Sequence, residues 1–162
     1  MTKYIAIISV FFFISCSENN IVFSESRALD GHWNKDETIE FVLPELDSLK
    51  QYNLFLNIRN TNDYPYNNIF LLVTMNFPHG KTIVDTLEYR MAHPDGSWMG
   101  KGIGNVKESK LWYKEKVRFL EEGAYTVELS QAVRNKGEVN GVMKLEGITD
   151  VGFTIEEINN QH

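Results

Sequence analysis

The 162-residue sequence has little cysteine, little positive charge and little proline. Its single cysteine excludes an intramolecular disulfide framework and any zinc or iron–sulfur site built from several thiolates. The 16 lysine and arginine residues are outnumbered by 22 aspartate and glutamate residues, so the sequence offers no basic surface for nucleic acid. Four prolines and 11 glycines without a period exclude collagen-like and low-complexity classes. One folded acidic domain remains, since a chain of about 150 residues buries enough surface to be stable without cross-links.

The longest apolar run lies at the N-terminus. Lys3 supplies a positive charge, and residues 4–14 are apolar apart from Ser9. This run is shorter than the roughly 20 residues of a membrane span, but it matches the hydrophobic region of a secretory signal peptide. It leads into Ser15 and Cys16, a small residue followed by the sole cysteine, as in a bacterial lipobox, although Phe13 stands where a lipobox usually has leucine.

We therefore predict a lipoprotein signal peptide over residues 1–15, and a lipidated Cys16 with a short tether over residues 16–20. The alternative is an ordinary cleaved signal peptide with an incidental cysteine. Each buried methylene of an acyl chain contributes about 0.8 kcal/mol, so two or three chains hold a protein at a membrane almost permanently. The four residues after Cys16 extend at most about 14 Å, which keeps the domain close to the bilayer. The predicted partners are thus membrane lipid, through acylated Cys16, and other envelope proteins.

Alternation of apolar and polar residues dominates the rest of the chain, and this period of two is typical of half-buried strands. Such runs occupy residues 21–23, 38–43, 53–59, 69–77, 83–91, 117–119, 125–129 and 151–155. Turn-forming glycine, proline, asparagine and aspartate lie between them. Phe70 and Leu72, on the opposite face of their run, indicate burial on both sides. We predict an all-β fold over residues 21–158, an antiparallel β-sandwich of jelly-roll or immunoglobulin-like type.

Three segments lack this alternation. Residues 46–52 and 130–134 each have the length of only one or two helical turns. Residues 92–110 carry four glycines, and we predict a long loop there, of the kind that is usually functional or mobile.

No motif in the sequence indicates catalysis, a metal or a cofactor. Residues 100–104 (GKGIG) lack the Gly-Lys-Ser/Thr ending of a phosphate-binding loop. The four histidines show no metal-ligand spacing, and no nucleophile elbow is present. A carboxylate pair for sugar hydrolysis would be assembled only in three dimensions, so a hydrolase stays open without support. We predict no catalytic residue, no metal, no cofactor and no nucleic-acid partner.

Aromatic side chains in turn-rich segments are the candidates for binding a partner. Tyr64 and Tyr66 flank a proline, Trp98 lies in the glycine-rich segment close to Lys101, and Trp112 follows that segment. Surface aromatics stack on sugars or anchor protein interfaces, although packing in the core accounts for any one of them equally well. We predict all five as partner-binding residues, with Trp98 foremost.

Several segments together resemble the GldH family of gliding-motility lipoproteins. They are residues 59–71 (RNTNDYPYNNIFL), 85–89 (DTLEY), 94–102 (PDGSWMGKG), 123–125 (GAY), 131–134 (QAVR) and 145–152 (LEGITDVG). The resemblance implies a cell-envelope lipoprotein of Bacteroidota-type bacteria that is required for gliding and linked to the type IX secretion machinery. It implies no enzymatic activity or cofactor, and it carries over one functional residue, Cys16, by its lipobox position.

We therefore expect a lipid-anchored envelope protein, not an enzyme, with a structural or accessory role in gliding and contacts to other gliding or secretion proteins. Surface-displayed lipoproteins of these bacteria carry several acidic residues after the cysteine, whereas this sequence has only Glu18 there. That difference favours the periplasmic face of the outer membrane. The alternative function is a surface or periplasmic glycan-binding module that uses Trp98, Trp112 or Tyr113 as a stacking platform.

Overall fold

The computed structural model describes residues 20–158, so the predicted signal peptide and Cys16 lie outside the described residues. The described part consists of ten β-strands joined by turns and loops, and it contains no helix that could cross a membrane. The strands are β1 (Ile21–Ala28), β2 (His32–Asn34), β3 (Ile39–Val42), β4 (Tyr52–Asn60), β5 (Asn68–Asn76), β6 (Thr82–Arg90), β7 (Lys107–Val117), β8 (Thr126–Gln131), β9 (Lys144–Glu146) and β10 (Ile148–Glu157).

Two antiparallel four-stranded sheets form the sandwich. The first sheet has the order β1-β10-β4-β7 and the second has the order β3-β8-β5-β6, while β2 and β9 make a separate pair. The first strand pairs with the last, the second with the ninth, and so on inward to β5 and β6. The chain is therefore one long hairpin wrapped around itself, which brings β10 beside β4 and β5 beside β8. This is a jelly-roll topology, and the predicted all-β antiparallel sandwich is confirmed.

Residues with a period of two line the core between the two sheets. On β5, Ile69, Leu71 and Val73 are fully buried and alternate with partly exposed neighbours. The rings of Phe41 on β3 and Phe153 on β10 lie 6.2 Å apart and join the sheets at the centre. Burial of such side chains supplies the main driving force for the fold, at about 25 cal/mol per Å² of apolar surface.

One prediction about burial is wrong. Phe70 and Leu72 are partly exposed, because only the inner face of the second sheet packs against the first. Residues 46–52 form turns that lead into β4, and residues 130–134 continue β8 to Gln131, so neither segment is helical.

The predicted loop over residues 92–110 is too long, since β7 begins at Lys107. Ser109 is one of its inward-facing residues, so the apolar alternation that marks the other strands is interrupted there. The same strand ends at Val117, and Phe119 lies beyond it in the following loop.

The sandwich has two ends, which we name by their distance from the start of β1. The proximal end carries Asn20 and the loops of residues 43–51, 77–81 and 118–125; the distal end carries the loops of residues 60–67, 91–106 and 132–143. Four aromatic rings pack in sequence across the proximal end, Tyr52 on Phe119, Phe119 on Tyr125 and Tyr125 on Phe77. The nine-residue strands separate the two ends by about 30 Å.

Candidate functional site

Three of the five predicted binding residues meet at the distal end. The ring of Tyr64 lies 5.8 Å from that of Tyr66 and 6.1 Å from that of Trp98. Tyr64 and Tyr66 lie in the loop of residues 60–67 and Trp98 in the loop of residues 91–106, so the fold unites two distant segments. We call these three residues the distal aromatic cluster.

Tyr64 is the buried base of this cluster. Its side chain is 3% exposed, and its hydroxyl donates a hydrogen bond to the backbone oxygen of Asn68 at 2.7 Å. Burial raises the pKa of Tyr64 far above its usual value, so the hydroxyl remains a donor. The prediction of Tyr64 as a direct partner contact conflicts with this burial, and its place in the structure is to support the other two rings.

Tyr66 and Trp98 are partly exposed, and hydrogen bonds fix their rings. The Tyr66 hydroxyl donates to Asn135 Oδ1 at 2.7 Å, and the indole Nε1 of Trp98 donates to Asn62 Oδ1 at 2.9 Å. The first bond links the loops of residues 60–67 and 132–143, while the second links the loops of residues 60–67 and 91–106. The exposed parts of the two rings are therefore presented in a fixed arrangement, which lowers the entropy cost of binding a partner.

Lys101 lies in a glycine-rich turn that borders a cleft of about 680 Å³. Its backbone exchanges two hydrogen bonds of 2.8 Å with Glu108, and Lys107 Nζ donates to the backbone oxygen of Gly102 at 2.7 Å. A Cβ atom at Gly102 would lie 2.4 Å from the backbone oxygen of Val106, so the turn leaves no room for a side chain at this position. The backbone is thus held closely while the Lys101 side chain is exposed.

Some of the charged side chains around this cleft are paired with a partner in the protein, and others are not. Glu108 accepts a hydrogen bond from Arg59 Nε at 2.5 Å, and Lys110 pairs with Glu156. Arg90 and Lys101, which also line the cleft, form no ion pair within residues 20–158. Two cationic side chains therefore remain available to an acidic group of a partner.

Trp112 is not part of the distal cluster. It lies in the middle of β7 on the outer face of the first sheet, about 17 Å along the strand from its distal start. The side chain of Trp112 is 51% exposed, and its ring lies 4.4 Å from that of Phe55, which is only 4% exposed. One side of the indole thus covers Phe55, and only the other side is open to solvent.

Exposed apolar residues that we did not predict lie at the same end of the sandwich as the cluster. They are Met99, Ile103, Val106, Val139 and Met143, with exposed fractions of 40% to 101%. All five lie in the two long distal loops. Their sequence signal is an apolar residue inside a run of glycine, asparagine and lysine, which alternation patterns do not detect.

The polar groups that the structure brings together do not form a metal site of the usual kind. Within residues 20–158, no group of three or more histidine, cysteine, aspartate or glutamate side chains is placed to hold a metal ion.

The chain is similar to proteins of one family. The GldH lipoprotein family model matches residues 21–155. A gliding motility lipoprotein GldH homolog of Christiangramia forsetii is 51% identical over 97% of this chain and 96% of the relative. The gliding motility lipoprotein GldH of Flavobacterium johnsoniae is 51% identical over 94% of both chains. A solved structure of infectious bursal disease virus, Gx strain, has a TM-score of 0.41 at 11% identity and covers 96% of this chain and 38% of its own.

The match extends over the predicted sandwich and includes the segments that form the distal aromatic cluster. At this identity and coverage the two relatives share one fold with this chain over nearly its whole length. The protein therefore belongs to the GldH lipoprotein family.

Proposed function

We propose that this protein is a lipid-anchored accessory component of the cell envelope that supports gliding motility through contact between its distal end and another envelope protein. Its relative in Flavobacterium johnsoniae bears the name of a gliding motility lipoprotein, and 51% identity over 94% of the chain favours a shared role. The anchor is the acylated Cys16, the location is the periplasmic face of the outer membrane, and the machinery served is linked to type IX secretion.

The observation that carries this proposal is the composition of the distal end. Fixed aromatic rings, exposed methionine and aliphatic side chains, and the cationic Arg90 and Lys101 occur together there. Aromatic residues, methionine and arginine are the types enriched in the cores of protein–protein interfaces. The distal end lies opposite the start of β1, so an N-terminal anchor leaves it free to reach a partner.

Contact rather than catalysis also fits the chemistry of the cluster. The polar atoms of Tyr64, Tyr66 and Trp98 already bond to backbone or asparagine groups of the protein. Glu108, the carboxylate that lines the neighbouring cleft, accepts a hydrogen bond from Arg59. Polar groups that are hydrogen-bonded within the protein hold the rings in a fixed orientation for recognition. A general acid or base, in contrast, must be free to exchange a proton.

The test is genetic and biochemical. Deletion of the gene is expected to stop surface spreading and to reduce secretion, and the wild-type gene should restore both, whereas Cys16→Ser should not. Crosslinking of the native lipoprotein in membranes is expected to capture an envelope protein, with Cys16→Ser as the control. Normal spreading and normal secretion in the deletion strain would contradict the proposal.

The glycan-binding alternative has its own readout. Trp98 and Trp112 are both exposed to solvent in part, so a bound sugar ring would change their fluorescence. Titration with envelope and dietary polysaccharides is expected to give no saturable change. A saturable shift that Trp98→Ala abolishes would favour the glycan-binding module instead.

A further inference from the structure

The proximal end, like the distal end, exposes large apolar side chains. Leu49 is 84% exposed and Leu120 is 72% exposed, each in a loop at this end. Val42, at the end of β3, is 56% exposed, and Ile21 and Val22, at the start of β1, are 47% and 40% exposed. Two leucines this exposed on one end of a small domain leave apolar surface in contact with water, and covering that surface with an apolar partner would be favourable.

Leu49 is held directly beside the point where the chain enters the sandwich. The backbone nitrogen of Glu157 donates to the backbone oxygen of Asn20 at 2.8 Å. Lys50 Nζ donates to Glu157 Oε2 at 2.9 Å, and the backbone nitrogen of Lys50 donates to the backbone oxygen of Asp47 at 3.1 Å. Through Glu157, these hydrogen bonds connect the turn that carries Leu49 with Asn20, where the chain enters the sandwich.

Leu120 projects from the neighbouring loop of the same end. Its loop and the turn of residues 45–48 border one shallow cleft of about 270 Å³. The loop is fixed beneath Leu120 by Phe119, whose ring packs on Tyr125 at 4.9 Å, and by a hydrogen bond from the backbone nitrogen of Glu121 to the Tyr125 hydroxyl. Both leucines thus stand on rigid supports at one end of the molecule.

The length of the chain before Asn20 determines what these leucines face. Asn20 is the fourth residue after Cys16, so an acylated Cys16 would lie within about 14 Å of the proximal end. The distal end is about 30 Å further away along the strands. An anchored domain can therefore stand on its proximal end or lie on one of its sheets.

The outer face of the first sheet is unsuited to lying on a bilayer. Ser24 and Thr154 hydrogen-bond to each other at 3.1 Å, and Thr154 Oγ1 donates to Asn57 Oδ1 at 2.7 Å. These three polar side chains cross strands β1, β10 and β4. Thr154 is already buried, but Ser24 is exposed and Asn57 is partly exposed, so covering this face with lipid would remove their polar groups from water at a cost in free energy. Removing Leu49 and Leu120 from water is favourable.

The charged residues of the proximal end do not attract it to anionic lipid. The proximal loops of residues 43–51, 77–81 and 118–125, together with residues 157–158, contain three lysine and arginine residues and five aspartate and glutamate residues. A slightly acidic surface of this kind gains nothing from anionic lipid, so apolar insertion must dominate. The contact should therefore be insensitive to salt.

We propose that the proximal end docks on the lipid bilayer, with Leu49 and Leu120 inserted at the interface, so that the domain stands upright and holds its distal end away from the membrane. This orientation rests on the lipid anchor of the proposed function. It assigns the two exposed apolar ends of the protein to two different partners, lipid at one end and protein at the other.

The experiment measures which end of the full-length acylated lipoprotein contacts lipid. Because acylation consumes the thiol of Cys16, a cysteine introduced by Ser48→Cys is the only free thiol and can carry an environment-sensitive fluorophore next to Leu49. Asn140→Cys is the matched control, since it is also exposed and lies next to the exposed Val139 at the distal end. Each labelled protein is reconstituted into vesicles of phosphatidylethanolamine and phosphatidylglycerol that contain nitroxide-labelled lipid.

The fluorophore at position 48 is expected to be quenched several-fold more by nitroxide lipid than the one at position 140, and several-fold less by aqueous iodide. Leu49→Asn together with Leu120→Asn should remove most of this difference while the protein stays vesicle-bound, and added salt should leave the difference unchanged. Equal quenching at both positions of bound, acylated protein would overturn the orientation alone. An unmodified Cys16 in mass spectrometry, with no vesicle binding, would overturn the anchor and the orientation together.

Discussion

Gly147 sets the position of Tyr64 and hence of the distal aromatic cluster. Its φ is +81°, and a Cβ atom there would lie 2.2 Å from the backbone nitrogen of Tyr64. The backbone nitrogen of Thr61 also donates to the oxygen of Gly147 at 2.8 Å, so the two loops run in close contact. A side chain at this position would have to displace backbone rather than a flexible side chain.

Gly147→Ala is therefore expected to destabilise the protein by more than about 3 kcal/mol, because backbone overlap adds to the cost of about 1–2 kcal/mol for a left-handed alanine. Gly137→Ala is the control, since Gly137 has a similar φ of +85° and nothing within 4 Å of its Cβ position. The free energy of unfolding in urea, followed by tryptophan fluorescence, measures both. Equal losses for the two variants would show that the close approach to Tyr64 contributes nothing.

Ser109 is a second residue whose chemistry leads to a measurable expectation. Its side chain is 7% exposed, and its Oγ has no hydrogen-bond partner among the described residues. A buried hydroxyl without a partner costs about 1–3 kcal/mol, so Ser109→Ala is expected to leave the free energy of unfolding unchanged or to raise it.

Thr154 provides the opposite case on the same sheet. Thr154 is 4% exposed and its hydroxyl bonds to both Ser24 and Asn57, so Thr154→Val, which keeps the shape, should lower stability by about 1 kcal/mol. Urea unfolding compares the two variants. A loss for Ser109→Ala as large as that for Thr154→Val would mean that Ser109 has a partner, such as a bound water.

Residue type alone identified the aromatic candidates but not their exposure. Tyr64 and Tyr66 are two positions apart in the same loop, yet one is buried and the other is partly exposed. The difference comes from Gly147 and Trp98, which approach Tyr64 from distant parts of the chain. Sequence patterns report local periodicity, so they contain no information about such approaches.

At the scale of elements, alternation identified the long strands and missed those with mixed inner faces. The core residues of β5 alternate strictly, and the run was predicted correctly. The inward face of β7 includes Ser109, and β2 and β9 have three residues each, which is too short for a periodic signal. The nested pairing of the strands could not be predicted from the sequence. Alternation with a period of two indicates which face of a sheet a residue lies on, but it does not indicate which strands pair with each other.

The open side of the sandwich, between the edge strands β6 and β7, is closed by a polar clamp. Asp85 on β6 accepts hydrogen bonds at 2.8 Å from the Tyr113 hydroxyl and from Lys114 Nζ on β7. The bond from Lys114, and to a smaller extent the one from Tyr113, lowers the pKa of Asp85 against the opposing effect of burial. Since the folded pKa lies below the unfolded one, the clamp stabilises the fold at pH values above about 4 and is lost as the pH falls through the folded pKa.

Asp85→Asn is accordingly expected to lower stability at pH 7 and to make stability less dependent on pH between about 4 and 2, so that variant and wild type converge in acid. Asp36→Asn, at an exposed aspartate with no side-chain hydrogen bond within the described part of the chain, is the control and should follow the wild-type curve. Urea unfolding at a series of pH values gives both curves. Parallel curves for Asp85→Asn and wild type would mean that the clamp contributes no stability.

At the scale of the whole molecule, the wrapped hairpin separates two apolar surfaces. Among residues 20–158, ten of the twelve exposed large hydrophobic residues lie at the ends, five at each, and the other two, Val84 and Trp112, lie on the sheet faces. Nested pairing of the long strands places the loops that join β3 to β4, β4 to β5, β5 to β6, β6 to β7 and β7 to β8 at alternate ends, so neighbouring loops in the sequence lie on different surfaces. This division is a property of the topology, and under the two proposals made above one end would contact a membrane and the other a protein.

Substitutions at the distal end alone should separate the roles of these two surfaces in the living cell. Ile103 is fully exposed and Val139 is 87% exposed, so replacing both by aspartate should leave folding and membrane association intact. An aspartate at the centre of a protein interface would be buried without a partner, and two of them should weaken capture of the envelope partner at least about tenfold. Surface spreading should fail accordingly. Val84→Asp, at a residue 57% exposed on the outer face of β6, is the control. Full spreading by the distal double variant, with normal protein levels, would mean that the protein serves motility through a surface other than its distal end.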